Sequence, residues 1–365
     1  MKNGEKYNNS RRNFLKGISA TVVFLSFFQF CKNAATSLIF KLSGTHHLLG
    51  HRLHLKNFPA ASKHIQIPYL IVGGGISGLS AARQFCKKGI NDFIIIELEN
   101  HLGGNASSAE NNYSKYPLGA HYLPLPNKSN QEVLNFLHEE AIIKGFDSAG
   151  LPIFDPEQLT IAPQERLFYK NQWQESLVPK SGNSTEEDQE LDRFFKIMDH
   201  FRTAKGTDQK FLFDIPLAQS STDSQTRALD GMTMKKWLEK NQFKSTILRD
   251  YIDYCCRDDF GLGVDYVSAW AGIHYFAARK QDSSLVYKNS VLTWPEGNAR
   301  LAHHLQKYTQ GKSLKNHLVF EIISKENTVE VQVFDATTQT TTQITTNKLI
   351  LATPQYVNQY LLPDR

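Results

Sequence analysis

Four cysteines in 365 residues, Cys31, Cys86, Cys255 and Cys256, leave the chain without a disulfide framework. Two of them are adjacent, a geometry that strains any bridge, and no C-x-x-C pair is present to hold zinc. Histidines do not fill that gap. His46, His47, His51 and His54 cluster early and His303-His304 come late, without H-E-x-x-H or any histidine–carboxylate spacing, so no metal site is expected. There is no G-x-S-x-G elbow to present a hydrolase serine. Long apolar runs are missing too. The most apolar stretch, Gly17 to Phe30, has 14 residues, too short to span a bilayer comfortably as a helix.

What is present is an ordinary globular composition, 41% hydrophobic and 21% charged, which excludes wholesale disorder and a polytopic membrane protein. At about 150 residues per domain, the length suggests two domains. Six of the 41 basic residues and one of the 36 acidic residues fall in the first 35 positions, leaving 35 of each sign beyond them. The net charge of +5 therefore belongs to the start, and the body lacks the surplus cations that a nucleic-acid partner needs.

That start is polar and basic to Lys16 and apolar from Gly17, the n-region and h-region of an export signal. Its boundary, Ser10-Arg11-Arg12-Asn13-Phe14-Leu15-Lys16, resembles the twin-arginine signal. The resemblance implies a bacterial protein exported folded to the periplasm or cell envelope, with the twin-arginine translocase as its partner in transit. Residues 1–35 are read as this signal or anchor. Cleavage around Asn33-Ala34-Ala35, retention as a membrane anchor and lipidation of Cys31 all remain open.

The densest chemistry follows. Tyr69-Leu70-Ile71-Val72 reads as a short apolar strand running into Gly73-Gly74-Gly75-Ile76-Ser77-Gly78, a G-x-G-x-x-G with Gly73, Gly75 and Gly78 in its three positions. Leu79 to Lys88 has helical spacing, Gly89 ends it, and Phe93 to Ile96 is a continuous apolar run suited to a parallel strand. Glu97 closes that strand. In such a unit the first glycine allows the tight turn, the second lets a pyrophosphate approach the backbone, and the third lets helix and strand pack closely. The helix N-terminus offers free N–H groups, in the turn Gly75-Ile76-Ser77-Gly78, and a partial positive charge. Glu97 accepts hydrogen bonds from a ribose and disfavours a 2′-phosphate. FAD and NAD both use this unit, but two further glycine turns, Leu102-Gly103-Gly104-Asn105 and Leu118-Gly119-Ala120-His121-Tyr122, lean the reading towards FAD.

With these pieces the sequence resembles the FAD-dependent amine oxidase superfamily, which includes protoporphyrinogen oxidases and carotenoid desaturases. The likeness spans about residues 66–358 and takes in Thr293-Trp294-Pro295-Glu296-Gly297-Asn298 and Lys348-Leu349-Ile350-Leu351-Ala352-Thr353-Pro354. It implies that Gly103 and Gly104 approach the FAD phosphates and that the Gly119-Ala120-His121 turn runs beside the flavin ring. His121, Tyr122 and then Trp294 are the expected flavin-lining residues, with Gly297 in the same turn. It also implies hydride transfer from a substrate C–H bond to the flavin, the substrate being a small amine or an apolar molecule. No residue is assigned as a catalytic base. A desaturase or isomerase of the same superfamily, and a non-catalytic envelope protein with a nucleotide fold, stand as alternatives.

The expected fold is α/β: a Rossmann-like FAD-binding domain in two parts, residues 66–126 and 291–365, interrupted by a mainly helical substrate domain, 127–290. Helices are predicted over Leu191 to Phe201, Met232 to Asn241, Leu248 to Cys256, Val267 to Ala278 and Ala299 to Tyr308. Leu318 to Ser324, Val329 to Phe334 and Gln343 to Leu351 predict a three-stranded meander whose last strand re-enters the parallel sheet. The Asp259-Phe260-Gly261 triplet spells a kinase magnesium motif, yet no H-R-D loop accompanies it, and it reads as a cap between helices. The resemblance further implies a segment beyond Pro354 that returns to the FAD. The chain is therefore expected to be a truncated form, with Ile350 and Leu361 exposed.

Overall fold

A computed structural model describes residues 44–161, 166–178, 182–280 and 290–362. The leader, 1–35, lies outside the described residues. The glycine turn sits at the end of strand β1, Ala61–Val72, which begins well before Tyr69. Its polar first half, Ser62 to Gln66, is exposed and carries no apolar signature. Pairing forms it instead, in parallel register with Thr341 to Thr345. Before it, the histidine-rich stretch makes two helical turns, His47–Gly50 and Arg52–Leu55, which seat Leu49 and Leu53 in the core of the sheet.

Helix α1, Ile76–Lys87, follows the turn and buries Leu79 and Ala82, and Gly89 at φ +74° closes it. Strand β2, Phe93–Ile96, pairs with β1 in parallel, and Phe93, Ile95 and Ile96 are buried, as a strand covered on both faces requires. Strand β3, Tyr122–Pro124, belongs to a small antiparallel sheet with β4, Leu159–Ile161, and β5, Ser290–Thr293.

The middle of the chain is helical from Thr185 onward, in α2 (Thr185–Thr203), α3 (Met234–Lys240), α4 (Thr246–Phe260) and α5 (Ala269–Ala277). Helix α2 opens on a capping box in which the Ser184 hydroxyl accepts from the Glu187 N–H and the Glu187 carboxylate accepts from the Ser184 N–H. These helices share a core around Phe194, where the Phe276 ring lies 5.1 Å away, and Trp270, Tyr275 and Phe276 all pack in it. Residues 143–161 and 166–175 differ from the helical expectation: they form short strands, including the hairpin of Arg166–Tyr169 with Gln172–Glu175. Strands of three or four residues are too brief for a periodicity to register. Gly261, at φ +70°, is the C-cap of α4, so the Asp259-Phe260-Gly261 triplet is a helix end. Burial pushes the Cys255 and Cys256 thiols of the same helix up, to about 11 and about 12, which makes them packing groups rather than nucleophiles.

After helix α6, Ala299–Gln306, the chain returns through β6 (Ser313–Leu314), β7 (His317–Ser324), β8 (Val329–Asp335) and β9 (Thr340–Leu351). The main sheet has the order β6-β2-β1-β9-β8-β7. Its first four strands are parallel, and β9, β8 and β7 form the antiparallel meander. A last helix, α7 (Gln355–Leu361), folds back on the sheet. The expected exposure of Leu361 and Ile350 is corrected here. Leu361 is buried in the core of the sheet because α7 docks its apolar face, and Ile350 is half-buried on the other side, in the cluster of Ile71, Ala82, Phe85 and Phe93 that includes α1.

Candidate cofactor-binding site

The glycines of the first turn do separate jobs. Gly73 adopts φ +103°, and a Cβ there would lie 2.8 Å from the Ala352 carbonyl oxygen, so the return of β9 presses directly on the turn. At Gly78 a Cβ would lie 1.9 Å from the Gly73 carbonyl oxygen. Helix and strand pack backbone to backbone at that point. Around Gly75 there is room: the nearest atom to a Cβ would be Gly104 Cα at 3.8 Å. Gly75 is the N-cap of α1, no side chain caps that end, and Ile76 and Ser77 behind it are exposed. A helix start with free N–H groups, partial positive charge and no covering side chain is a place for an anion.

Glu97 closes the other wall. Its Oε2 accepts the Gly74 N–H at 2.6 Å and its Oε1 accepts the Glu99 N–H at 2.8 Å. Burial raises the pKa of this carboxyl, and the two N–H donors work against the rise. Each oxygen accepts one such bond and keeps a lone pair for a further donor. Glu97 is placed by a contact with no sequence signal: its own N–H donates to the Leu314 carbonyl of the two-residue strand β6, and its carbonyl accepts the His317 N–H. Glu99 belongs to this corner as well, and no motif marks it. Its carboxylate accepts the His46 N–H at 2.7 Å, tying the segment before β1 to the wall.

The second glycine pair folds onto the first. The Gly103 N–H donates to the Gly74 carbonyl, Gly103 and Gly104 take φ +128° and +56°, and a Cβ on Gly104 would lie 3.1 Å from Gly75 Cα. Two glycine turns thus stack with no side chain between them. Asn105 is exposed and its carbonyl accepts the Ala120 N–H, while a Cβ on Gly119 would lie 2.5 Å from that same oxygen.

A third, distant segment completes the arrangement. Thr293 pairs with Tyr122 across β5 and β3, the Thr293 hydroxyl donates to the His121 carbonyl, and Asn298 donates to the carbonyls of Ala120 and Tyr122. Gly297, at φ +61°, fits against Ala120, whose oxygen would lie 2.8 Å from a Cβ there. His121 and Tyr122 are consequently held by their backbones, with exposed rings 4.9 Å apart. Trp294 points the other way. Its indole is buried in the core beside Leu134, and its N–H donates to Gln158 at 2.9 Å, so its side chain braces the turn from behind. Among the described residues no three His, Cys, Asp or Glu side chains come together as a metal site.

Residues 71–139 match the NAD(P)-binding Rossmann-like domain family. The chain is 26% identical over 191 residues to a "Probable flavin-containing monoamine oxidase A" of Dictyostelium discoideum, an alignment covering 52% of this chain and 36% of that protein. Putrescine oxidase bound to putrescine superposes with a TM-score of 0.57 at 17% identity, over 82% of this chain and 60% of the other. Cyclohexylamine oxidase from Brevibacterium oxydans IH-35A gives 0.56 at 16%, over 82% and 60%. The CLA-producing fatty acid isomerase from P. acnes gives 0.53 at 16%, over 81% and 61%. The chain is an α/β protein with a Rossmann-like domain. Its fold is the one these amine oxidases and the isomerase share, and it spans about a third to three fifths of their lengths.

Proposed function

We propose that the cradle holds FAD and that the protein is an amine-oxidase-like oxidoreductase acting on a small amine. The observation that carries the reading is the pair of stacked glycine turns at an uncapped helix start, facing a carboxylate with free lone pairs. The backbone N–H groups at Ile76, Ser77 and Gly78 would hold the pyrophosphate, Gly103 and Gly104 would admit it, and Glu97 would accept from a ribose. When bound, FAD supplies the hydride acceptor. The chain's own part is position and shielding: His121 and Tyr122, fixed by Thr293 and Asn298, would line the ring, and the helical region would shape the substrate space. The test is the absorbance spectrum of the purified protein, followed anaerobically. A flavin spectrum that bleaches with a primary amine is expected; a folded protein without flavin, or a flavin that no amine bleaches, overturns the reading.

A second reading follows from the likeness to the fatty acid isomerase. Under it an unsaturated apolar substrate is rearranged with no net release of hydrogen peroxide or ammonia, which product analysis separates from amine oxidation.

Glu97→Ala is expected to weaken FAD by about 1–3 kcal/mol, the scale of losing hydrogen bonds to a charged group. The raised pKa of Glu97 sets a sign as well. Ribose hydroxyls donate to the ionised carboxylate, so affinity falls as the pH is lowered towards that pKa, and Glu97→Gln flattens the dependence. An FAD titration unchanged in both variants would refute the role.

Export by the twin-arginine route to the periplasm or cell envelope is part of the same proposal, resting on Arg11 and Arg12. Replacing both by Lys is expected to strand the protein in the cytoplasm, and undiminished export on fractionation would remove this element.

A further inference from the structure

Beside the cradle, on the outer side of the loop that carries the second glycine pair, lies a cavity of about 580 Å³. It is bounded by that loop, by helix α6 with the turn after it, and by the edge strand β6. His101, His303, Lys307 and Lys315 face it together with the hydroxyls of Ser107 and Ser108, and among the described residues no carboxylate lines it. On the count that balances the body's charges, with histidine neutral, the space holds two lysines, two histidines as further N–H donors and no acid, a lining that favours negative charge. Lys307 is partly satisfied, since it pairs with Glu140 from outside the cavity. Lys315 keeps the asymmetry, with His101 and His303 as further donors. None of Gly73, Gly75, Gly78, Glu97, Gly103 or Gly104 lines the space, so it is separate from the place assigned to FAD.

We propose that this cavity binds a small multivalent oxyanion, a carboxylate or phosphate compound, as a second ligand site. The volume is that of small-molecule pockets in general. Occupancy is linked to the cradle through one residue. Leu102 lines the cavity, its carbonyl accepts from Gln306 at 3.2 Å, and its Cδ2 lies where a Cβ on Gly74 would come within 2.4 Å. Gly74 is also the residue that donates to Glu97. A ligand that moves Leu102 therefore changes the Gly74–Glu97 wall, and by reciprocity FAD changes the affinity for that ligand by the same factor. This coupling rests on the FAD reading; the anion site does not.

The experiment is calorimetric titration of the full chain, freed of flavin, with sodium citrate and with sodium pyrophosphate at low ionic strength. At least one of the two is expected to bind, tighter citrate marking a carboxylate ligand and tighter pyrophosphate a phosphate ligand. Lys315→Ala and His303→Ala, both at exposed positions that leave the fold intact, are each expected to weaken binding about tenfold. Gly75→Val, which fills the phosphate position of the cradle, abolishes any pyrophosphate binding there and is expected to leave the Lys315- and His303-dependent binding in place. Absence of binding by both anions, binding insensitive to Lys315 and His303, or loss of the Lys315-dependent binding in Gly75→Val would each overturn the site. In the flavin-loaded protein the bound anion is expected to shift the Kd for FAD, and no shift overturns the coupling alone. A chain that takes the anion but no FAD sinks the function proposed above and leaves the anion site standing.

Discussion

Gly75→Val is expected to give a folded protein that purifies without flavin. The two halves of that outcome have separate causes. Gly75 sits at φ −72°, ψ −174°, extended backbone that valine adopts readily, and the nearest atom to the new Cβ is 3.8 Å away. The empty protein therefore loses little, within about 1 kcal/mol for a poorer N-cap. A phosphate needs the same space. Its oxygens must reach the N–H groups of the first turn of α1, and a branched side chain at the N-cap stands between them. Loss of two charge-assisted hydrogen bonds weakens FAD by roughly 100-fold or more. The measurement is flavin per chain alongside thermal unfolding of the flavin-free protein. Full flavin content in the variant would move the cofactor away from this turn.

Gly78→Ala, three residues on, is expected to cost the fold rather than the ligand contact. One methyl at this position would lie 1.9 Å from the Gly73 carbonyl oxygen and 3.3 Å from the Ile71 side chain. Neither neighbour can retreat: Ile71 is fully buried in β1, and Gly73 is pinned by its N–H bond to the Ile96 carbonyl and by Ala352 behind it. Overpacking against backbone sits at the upper end of its usual range, about 3 kcal/mol or more. That corresponds to a fall of roughly 4 °C or more in Tm for a chain of this size. Flavin-free wild type and variant unfolding at the same temperature would show that α1 and β1 are not packed as described.

The contrast between these two glycines is legible in the amino-acid sequence, because it follows from the order of strand, turn and helix. The Tyr69–Val72 run, the six residues Gly73 to Gly78 and the Phe93–Ile96 run each obey a local rule of backbone freedom or burial, and β1, α1 and β2 form where those rules place them. The meander is legible for the same reason, since alternation of apolar and polar residues is a property of a strand and its own face. Trp294 shows where that kind of reading stops. Its motif sits in the turn that Thr293 and Asn298 tie to His121 and Tyr122, but which way an indole points depends on a core built from Leu134, Phe154 and Leu301.

The amino-acid sequence by itself determined the α/β class, the glycine turn, the acidic strand end and the helices that follow Thr185, all set by contacts between near neighbours. Only the tertiary structure decided that the polar half of β1 is a strand, because its sole support is hydrogen bonding to β9, about 280 residues away. It alone produced β6, two residues long and without a pattern, which fixes Glu97. It alone brought Asn105, Ala120, Tyr122, Thr293 and Asn298 into one hydrogen-bonded frame. The reason is physical: a backbone N–H or carbonyl is the same at every position, so a partner from a distant segment leaves no trace in residue type.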